Sequence, residues 1–204
     1  IQSSADEIET QLDALRNELE DELRKISKAN SPDNVSGGLT FNFDRLNAQL
    51  RDVGLDPIDG RELVEAVEQT QRAYEAWYDI NNTGLVGNIL GSKEDRQEEY
   101  IGYLQEVDDS PIDISPKAER GDFTEDFDCR LAVDELFEDI TQELTERRDT
   151  HRKRIIREFK SAVSEFDATE IVEDYRAQWG SNDFDLEWPG DTDDPVSAMR
   201  ERLD

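Results

Sequence analysis

From Ile8 onward the apolar residues return every third or fourth position, at Leu12, Leu15, Leu19, Leu23 and Ile26, with charges filling the opposite face. That spacing predicts one amphipathic helix over about residues 4–28. Ser4-Ala5-Asp6-Glu7 in front of it has the form of a capping box. The pattern stops at Asn30-Ser31-Pro32-Asp33 and Gly37-Gly38, which reads as a loop. Leu39-Thr40-Phe41 suits a short extended piece, and Asp44 to Val53 a short helix closed by Gly54. Asp59-Gly60 leads into a second long helix with Leu63, Val67, Thr70, Tyr74, Trp77 and Tyr78 on one face. Ser92 then caps a helix carrying Tyr100, Ile101, Leu104 and Val107.

Residues 108–123, with Pro111 and Pro116, read as irregular. The longest helical pattern runs from about Thr124 to Phe166 through Leu131, Leu136, Phe137, Ile140, Leu144, Ile155, Phe159 and Val163. Forty residues or so is long for a globular helix, so a break or a coiled-coil-like element is expected. Asp167-Ala168-Thr169-Glu170 repeats the capping-box form and predicts a restart there, running to Trp179. Gly180 to Pro189 is a loop with a short strand at Phe184–Trp188, and Asp194-Pro195 opens a last short helix to Leu203. The expected fold is all-α, an elongated helical bundle of long amphipathic helices. Its N-terminal helix, within 1–31, is suited to projecting or pairing as a coiled coil. A helical body follows over 39–179, and an acidic segment with a short helix over 180–204.

Charge changes this picture most. Fifty-two Asp and Glu oppose twenty-three Lys and Arg, a formal net charge of −29 on 204 residues. In dilute buffer such a surface repels itself and opposes the compact state. In molar salt the Debye length falls to about 3 Å, so the repulsion is screened while the carboxylates stay hydrated. Seventeen of the cations are Arg and six are Lys, and Arg is the more weakly hydrated. The composition resembles that of cytoplasmic proteins from salt-in haloarchaea. The hydrophobic share of 35% is low, yet its strong periodicity still predicts a core. No apolar run reaches the roughly 18 residues of a membrane span. The expected location is the cytoplasm or a virion of a high-salt organism, with export left open because the chain starts at Ile1. Two glycosylation sequons, Asn34-Val35-Ser36 and Asn81-Asn82-Thr83, would matter only after export.

One stretch departs from the acidic background. Residues 147–160 hold Arg147, Arg148, Arg152, Lys153, Arg154, Arg157 and Lys160 against two acids, a net of +5 that leaves −34 for the rest. These seven are the candidate interaction residues. They suit pairing with the acidic run 119–146, with a neighbouring acidic helix, or with a protein partner. Nucleic acid is not expected at high salt, because binding falls with a slope of about −0.9 per neutralised phosphate and no aromatic residue interleaves the cluster before Phe159.

Other constellations weigh less. Gly84-Leu85-Val86-Gly87-Asn88-Ile89-Leu90-Gly91-Ser92-Lys93 invites a phosphate-loop reading, but its glycine spacing and its Ser-Lys order are wrong. Asn81 to Ser92 is instead twelve uncharged residues, a buried connection first and a docking or hinge loop through Leu85, Val86, Ile89 and Leu90 second. His151, the single histidine, falls beside the apolar stripe between Leu144 and Ile155 and reads as a half-buried structural residue rather than a base. The lone Cys129 allows neither an intrachain disulfide nor a thiolate zinc cluster. Asp183, Asp185, Glu187, Asp191, Asp193 and Asp194 match the calcium loop of an EF-hand poorly and read as a solvated acidic loop. Tyr74, Trp77, Tyr78, Trp179 and Trp188 read as core and rim aromatics. No catalytic residue, metal set or cofactor is assigned. The expected function is a non-enzymatic helical interaction or assembly protein of a halophilic, haloarchaeal-type organism, acting through helix faces on a protein partner or on itself. A structural component of a virus or envelope machine fits this. The alternative is a nucleic-acid-associated or regulatory protein using residues 147–160, and an enzyme with a carboxylate-only metal site comes third.

Overall fold

The structure is a computed structural model and describes residues 4–35, 37–82, 93–108, 110–115, 127–161 and 165–179. Of these, 79% are helical. Along the chain come α1 (Ser4–Ser27), a 3-10 turn at Pro32–Asn34, α2 (Phe43–Asp52), α3 (Gly60–Asn82) and α4 (Lys93–Asp108). Strands β1 (Ile112–Ser115) and β2 (Asp128–Leu131) and helices α5 (Asp134–Ser161) and α6 (Glu165–Trp179) follow. The chain divides into two compact units. One comprises residues 1–12, 44–57 and 137–204, the other 13–43 and 58–136. Among the described residues, no helix is long and apolar enough to cross a membrane.

The first unit joins the start of α1 to α2, α5 and α6. Ile8 and Leu12 of α1 are buried, as are Leu46 and Leu50 of α2, Leu144 and Ile155 of α5, and Val172, Tyr175 and Trp179 of α6. Gln11 donates a side-chain hydrogen bond to Gln49, and Arg45 pairs with Glu7. The end of α2 is a Schellman turn, in which Leu55 N–H reaches the Leu50 carbonyl at 2.8 Å and Gly54 N–H the Arg51 carbonyl at 2.9 Å. Such a turn needs a left-handed residue, and Gly54 has φ +80°. A β-carbon at Gly54 would also lie 2.8 Å from the Arg147 guanidinium, which therefore rests on this turn at the C-terminal end of α2. There it faces the negative pole of the helix dipole.

The second unit packs the rest of α1 with α3, α4 and the strands. Leu15, Leu19, Leu23 and Ile26 are buried, as are Leu63, Ala66, Val67, Thr70, Ala73 and Tyr74 of α3. Asp59 caps α3, its carboxylate accepting from Arg61 N–H at 3.0 Å. Tyr74 donates to the Ala29 carbonyl at 2.7 Å and packs its ring against Trp77, Tyr78 and Phe127. Buried Cys129 is tied to α1, its N–H reaching Ser27 Oγ at 3.2 Å and its thiol the Leu23 carbonyl at 3.4 Å. Arg16 of α1 pairs with Asp134 at 2.9 Å.

The fold is mostly helical, in keeping with the all-α expectation, but the reading of two short segments changes. Ile112–Ser115 and Asp128–Leu131 form an antiparallel ribbon rather than irregular chain and the start of a long helix. The cause is a period of two. Ile112, Ile114 and Cys129 are buried, while Asp128 and Arg130 between and beside them are exposed. Arg130 closes the pair with two hydrogen bonds to Asp113, at 3.0 and 2.7 Å. A two-stranded ribbon is marginal alone, and here β1 packs on α3 and α4.

Two further boundaries move. The long pattern begins at Asp134 rather than Thr124, and the last helix starts at Glu165, ahead of the supposed cap at Asp167. Phe166 thereby leaves the apolar stripe and stands 75% exposed. The expected loop residues Leu85, Val86, Ile89 and Leu90, the cap at Ser92 and the whole acidic segment 180–204 lie outside the described residues.

Candidate functional site

The basic stretch falls within α5, where Arg147, Thr150, His151, Arg154 and Arg157 follow at offsets of three and four and so share a face. Val53, just past α2, and Gln178 and Trp179, in the last turn of α6, complete the wall around this face. With Glu143 and Glu146 they line an open cavity of about 560 Å³, all within the first unit. Its floor is apolar, since Val53 and Trp179 are buried, and its rim is charged.

Of the seven predicted interaction residues, Arg147, Arg154 and Arg157 line the cavity, and Arg148, Arg152 and Lys153 stand on α5 outside its lining. Arg148 and Arg152 are half-buried and Lys153 is exposed. Lys160 belongs to α5, but its side chain lies outside what is described. Arg147 pairs with Glu143 at 3.9 Å and Arg154 with Glu158 at 3.5 Å, each one helical turn away. Glu143 belongs to the acidic run 119–146. Such exposed pairs contribute only about 0–1 kcal/mol each, so they orient the guanidiniums more than they hold the fold. Arg157 Nε donates to the Lys153 carbonyl at 3.3 Å.

His151 sits at the inner edge of this face. Its ring packs edge-on to Tyr175 and Trp179, with centroids 5.6 and 6.1 Å away. The indole N–H of Trp179 donates to His151 Nδ1 at 2.7 Å. An indole nitrogen only donates, so this bond needs Nδ1 unprotonated. Arg154 Nη2 lies 2.7 Å from the other ring nitrogen, Nε2, and a guanidinium also only donates. A neutral imidazole has one acceptor nitrogen, so the tautomer decides which of these two donors the ring bonds.

Burial holds the imidazole below its ordinary range, and the Arg154 guanidinium adds to this. Glu158, a hydrogen bond from the ring to the Gln178 side chain, and Asp174 pull the other way. The folded state therefore disfavours the proton. Stability from this group is fully present above the unfolded pKa of about 6.5 and is lost as pH falls from there toward the folded value. A His151→Gln variant lacks this titration. The gap in Tm between wild type and variant should narrow as pH drops below about 6.5. A gap constant from pH 8 to 5 would show that the ring is not held neutral.

The remaining chemistry is quiet. Burial pushes the Cys129 thiol up to about 11, with a hydrogen bond from Ser27 pulling the other way, so it is not a thiolate nucleophile at neutral pH. Among the described residues, no group of three or more His, Cys, Asp or Glu side chains is placed to hold a metal ion. The cavity partners Val53, Gln178 and Trp179 escaped the sequence reading because only the tertiary fold brings them to α5. The face 147–150–154–157 was readable from its spacing. Compared with protein-family models, curated proteins and solved structures, the chain matches none of them.

Proposed function

We propose that this is a non-enzymatic interaction or assembly protein of a halophilic, haloarchaeal-type organism, in which the basic face of α5 meets an acidic surface of a second protein. The apolar faces of α1 and α3 are spent on the chain's own core, so they do not supply the contact. The observation that carries the reading is the exposure of Lys153, Arg154 and Arg157 on a helix stretch of net +5 in a chain of net −29. The best complement to that stretch is an acidic helix face, and each further copy of this chain offers one. Basic face against acidic face is a head-to-tail contact, which closes into rings or extends into filaments. A structural component of a virus particle or cell-envelope machine needs such a contact. A regulatory role for α5, in place of assembly, is favoured only by the small-molecule size of the cavity.

Reversing Arg152, Lys153, Arg154 and Arg157 to Glu tests this. The wild type should show a mass that rises with protein concentration in about 2–3 M KCl, where only direct charge contacts survive screening. The reversed variant should stay at monomer mass and melt lower, most visibly below about 1 M salt. A wild type that remains monomeric at every concentration, or a variant that associates like it, would remove the assembly reading.

A further inference from the structure

Val172, Tyr175 and Trp179 follow at offsets of three and four along α6, and all three are buried. On α5, Leu144 and Ile155 are buried, and His151 lies on the same stripe between them. The one imidazole of the chain is thus set into an apolar contact between two helices. Its cover comes from α6, through the rings of Tyr175 and Trp179, 5.6 and 6.1 Å away. A helix of 15 residues is marginal alone in water, so α6 owes its order to docking. Whatever weakens this contact therefore acts on α6 as a whole.

A proton on His151 weakens it whichever tautomer the neutral ring holds. The neutral imidazole offers one acceptor nitrogen between two donors, Trp179 Nε1 and Arg154 Nη2, each 2.7 Å away. The imidazolium offers none. It also places a charge where Tyr175 and Trp179 keep water off and a guanidinium stands alongside. Glu158 on α5, with Asp174 and Gln178 on α6, favours the charged ring. Burial, the largest influence, and Arg154 disfavour it, and the balance falls against the proton. Arg147, Glu143 and Glu146 line the same cavity along α5, while Val53, from the end of α2, brings no charge. Arg147 also ties α5 to the Gly54 turn, so α6 is the side that gives way.

We propose that His151 is a proton-operated latch: the neutral ring holds the last turn of α6 against α5, and protonation releases α6. The docked state binds the proton less well than the released one. Docking is therefore complete above about pH 6.5, the ordinary imidazole value, and weakens as pH falls from there. Release uncovers Val172, Tyr175 and Trp179 and removes one wall of the groove beside the basic face of α5. The inference goes beyond the assembly reading and does not depend on it.

The test uses the full chain in about 2 M KCl, where long-range repulsion is screened. Amide hydrogen exchange of α6 and of α3, corrected for its intrinsic pH dependence, is compared at about pH 7.5 and 5.5, and the ring protons of His151 are titrated. In the wild type, α6 protection should fall at least about threefold with acid while α3 keeps its own, and the His151 midpoint should lie below about 6.5. His151→Gln keeps an acceptor at every pH, and its α6 protection should not fall. Arg154→Gln, at an exposed position, removes the cation beside the ring, so the midpoint should rise and the acid loss of protection should shrink. The latch is overturned if wild-type α6 is equally protected at both pH values, if His151→Gln loses as much as wild type, or if α3 loses protection in step with α6. Should His151→Gln not fold, Arg154→Gln decides alone, and an unmoved midpoint or an undiminished acid loss overturns the latch. Neither readout depends on mass, so failed association leaves a positive result standing and a concentration-dependent mass does not rescue a negative one.

Discussion

Leu19→Asp unfolds the protein in molar KCl as well as in dilute buffer. Leu19 is fully buried in α1, between Leu15 and Leu23, which are buried as well. Emptying a buried leucine site costs about 2–5 kcal/mol, and an unpaired buried carboxylate adds several more unless it stays protonated. Domains of this size hold only about 5–15 kcal/mol in total. Screening by salt does not help, because the lost contact is apolar and the new charge has no counter-ion inside. Circular dichroism should show a helical signal near that of the unfolded chain at 25 °C in 2 M KCl. Glu20→Ala, one position along on the exposed face, should keep the wild-type melt. A Leu19→Asp variant that melts like wild type would mean that α1 stands free of the core.

The second large effect is that of salt itself. With net −29 on 204 residues, helicity and Tm should climb steeply from about 0.1 to 2 M KCl. Two causes act together. Repulsion among the fifty-two carboxylates is screened, and salt strengthens apolar burial. Cys129 offers a local reporter of the second unit, since it is buried and its thiol is pushed up to about 11. In 2 M KCl it should resist a disulfide reagent at pH 8, and at low salt it should react as an exposed thiol does. A melt that is flat across this range would remove the halophilic reading.

How much of this could be read from the chain depends on the range of the interactions involved. α1, read over about 4–28, runs Ser4–Ser27, and α2, read over Asp44–Val53, runs Phe43–Asp52. Both announce themselves locally, one by an unbroken three-and-four spacing, the other by the glycine that its last turn requires. The ribbon did not. Its strands are four residues each, and Asp113 finds Arg130 only after a long excursion, so a helical period could be drawn through Leu131 with nothing local to contradict it. The supposed cap at Asp167 failed for the opposite reason, since a four-residue motif fits by chance in a chain so rich in Asp and Glu. At the groove, the Arg face was readable from offsets along one helix. The bond from Trp179 to His151 depends on α6 folding back beside α5, and no local pattern reports that.

The Gly54–Arg147 contact has a consequence for biosynthesis. The first unit is assembled from three stretches of chain, 1–12, 44–57 and 137–204, and its α2 turn is covered by a side chain encoded about 90 residues later. At elongation rates of about 5–20 residues per second, that interval lasts on the order of 5–20 s. Throughout it, the emerging Ile8, Leu12, Leu46 and Leu50 have no α5 or α6 to pack against. The nascent chain must remain dispersed until its own later half arrives. Repulsion among the abundant carboxylates should favour that waiting state, as it should oppose the finished fold in dilute buffer.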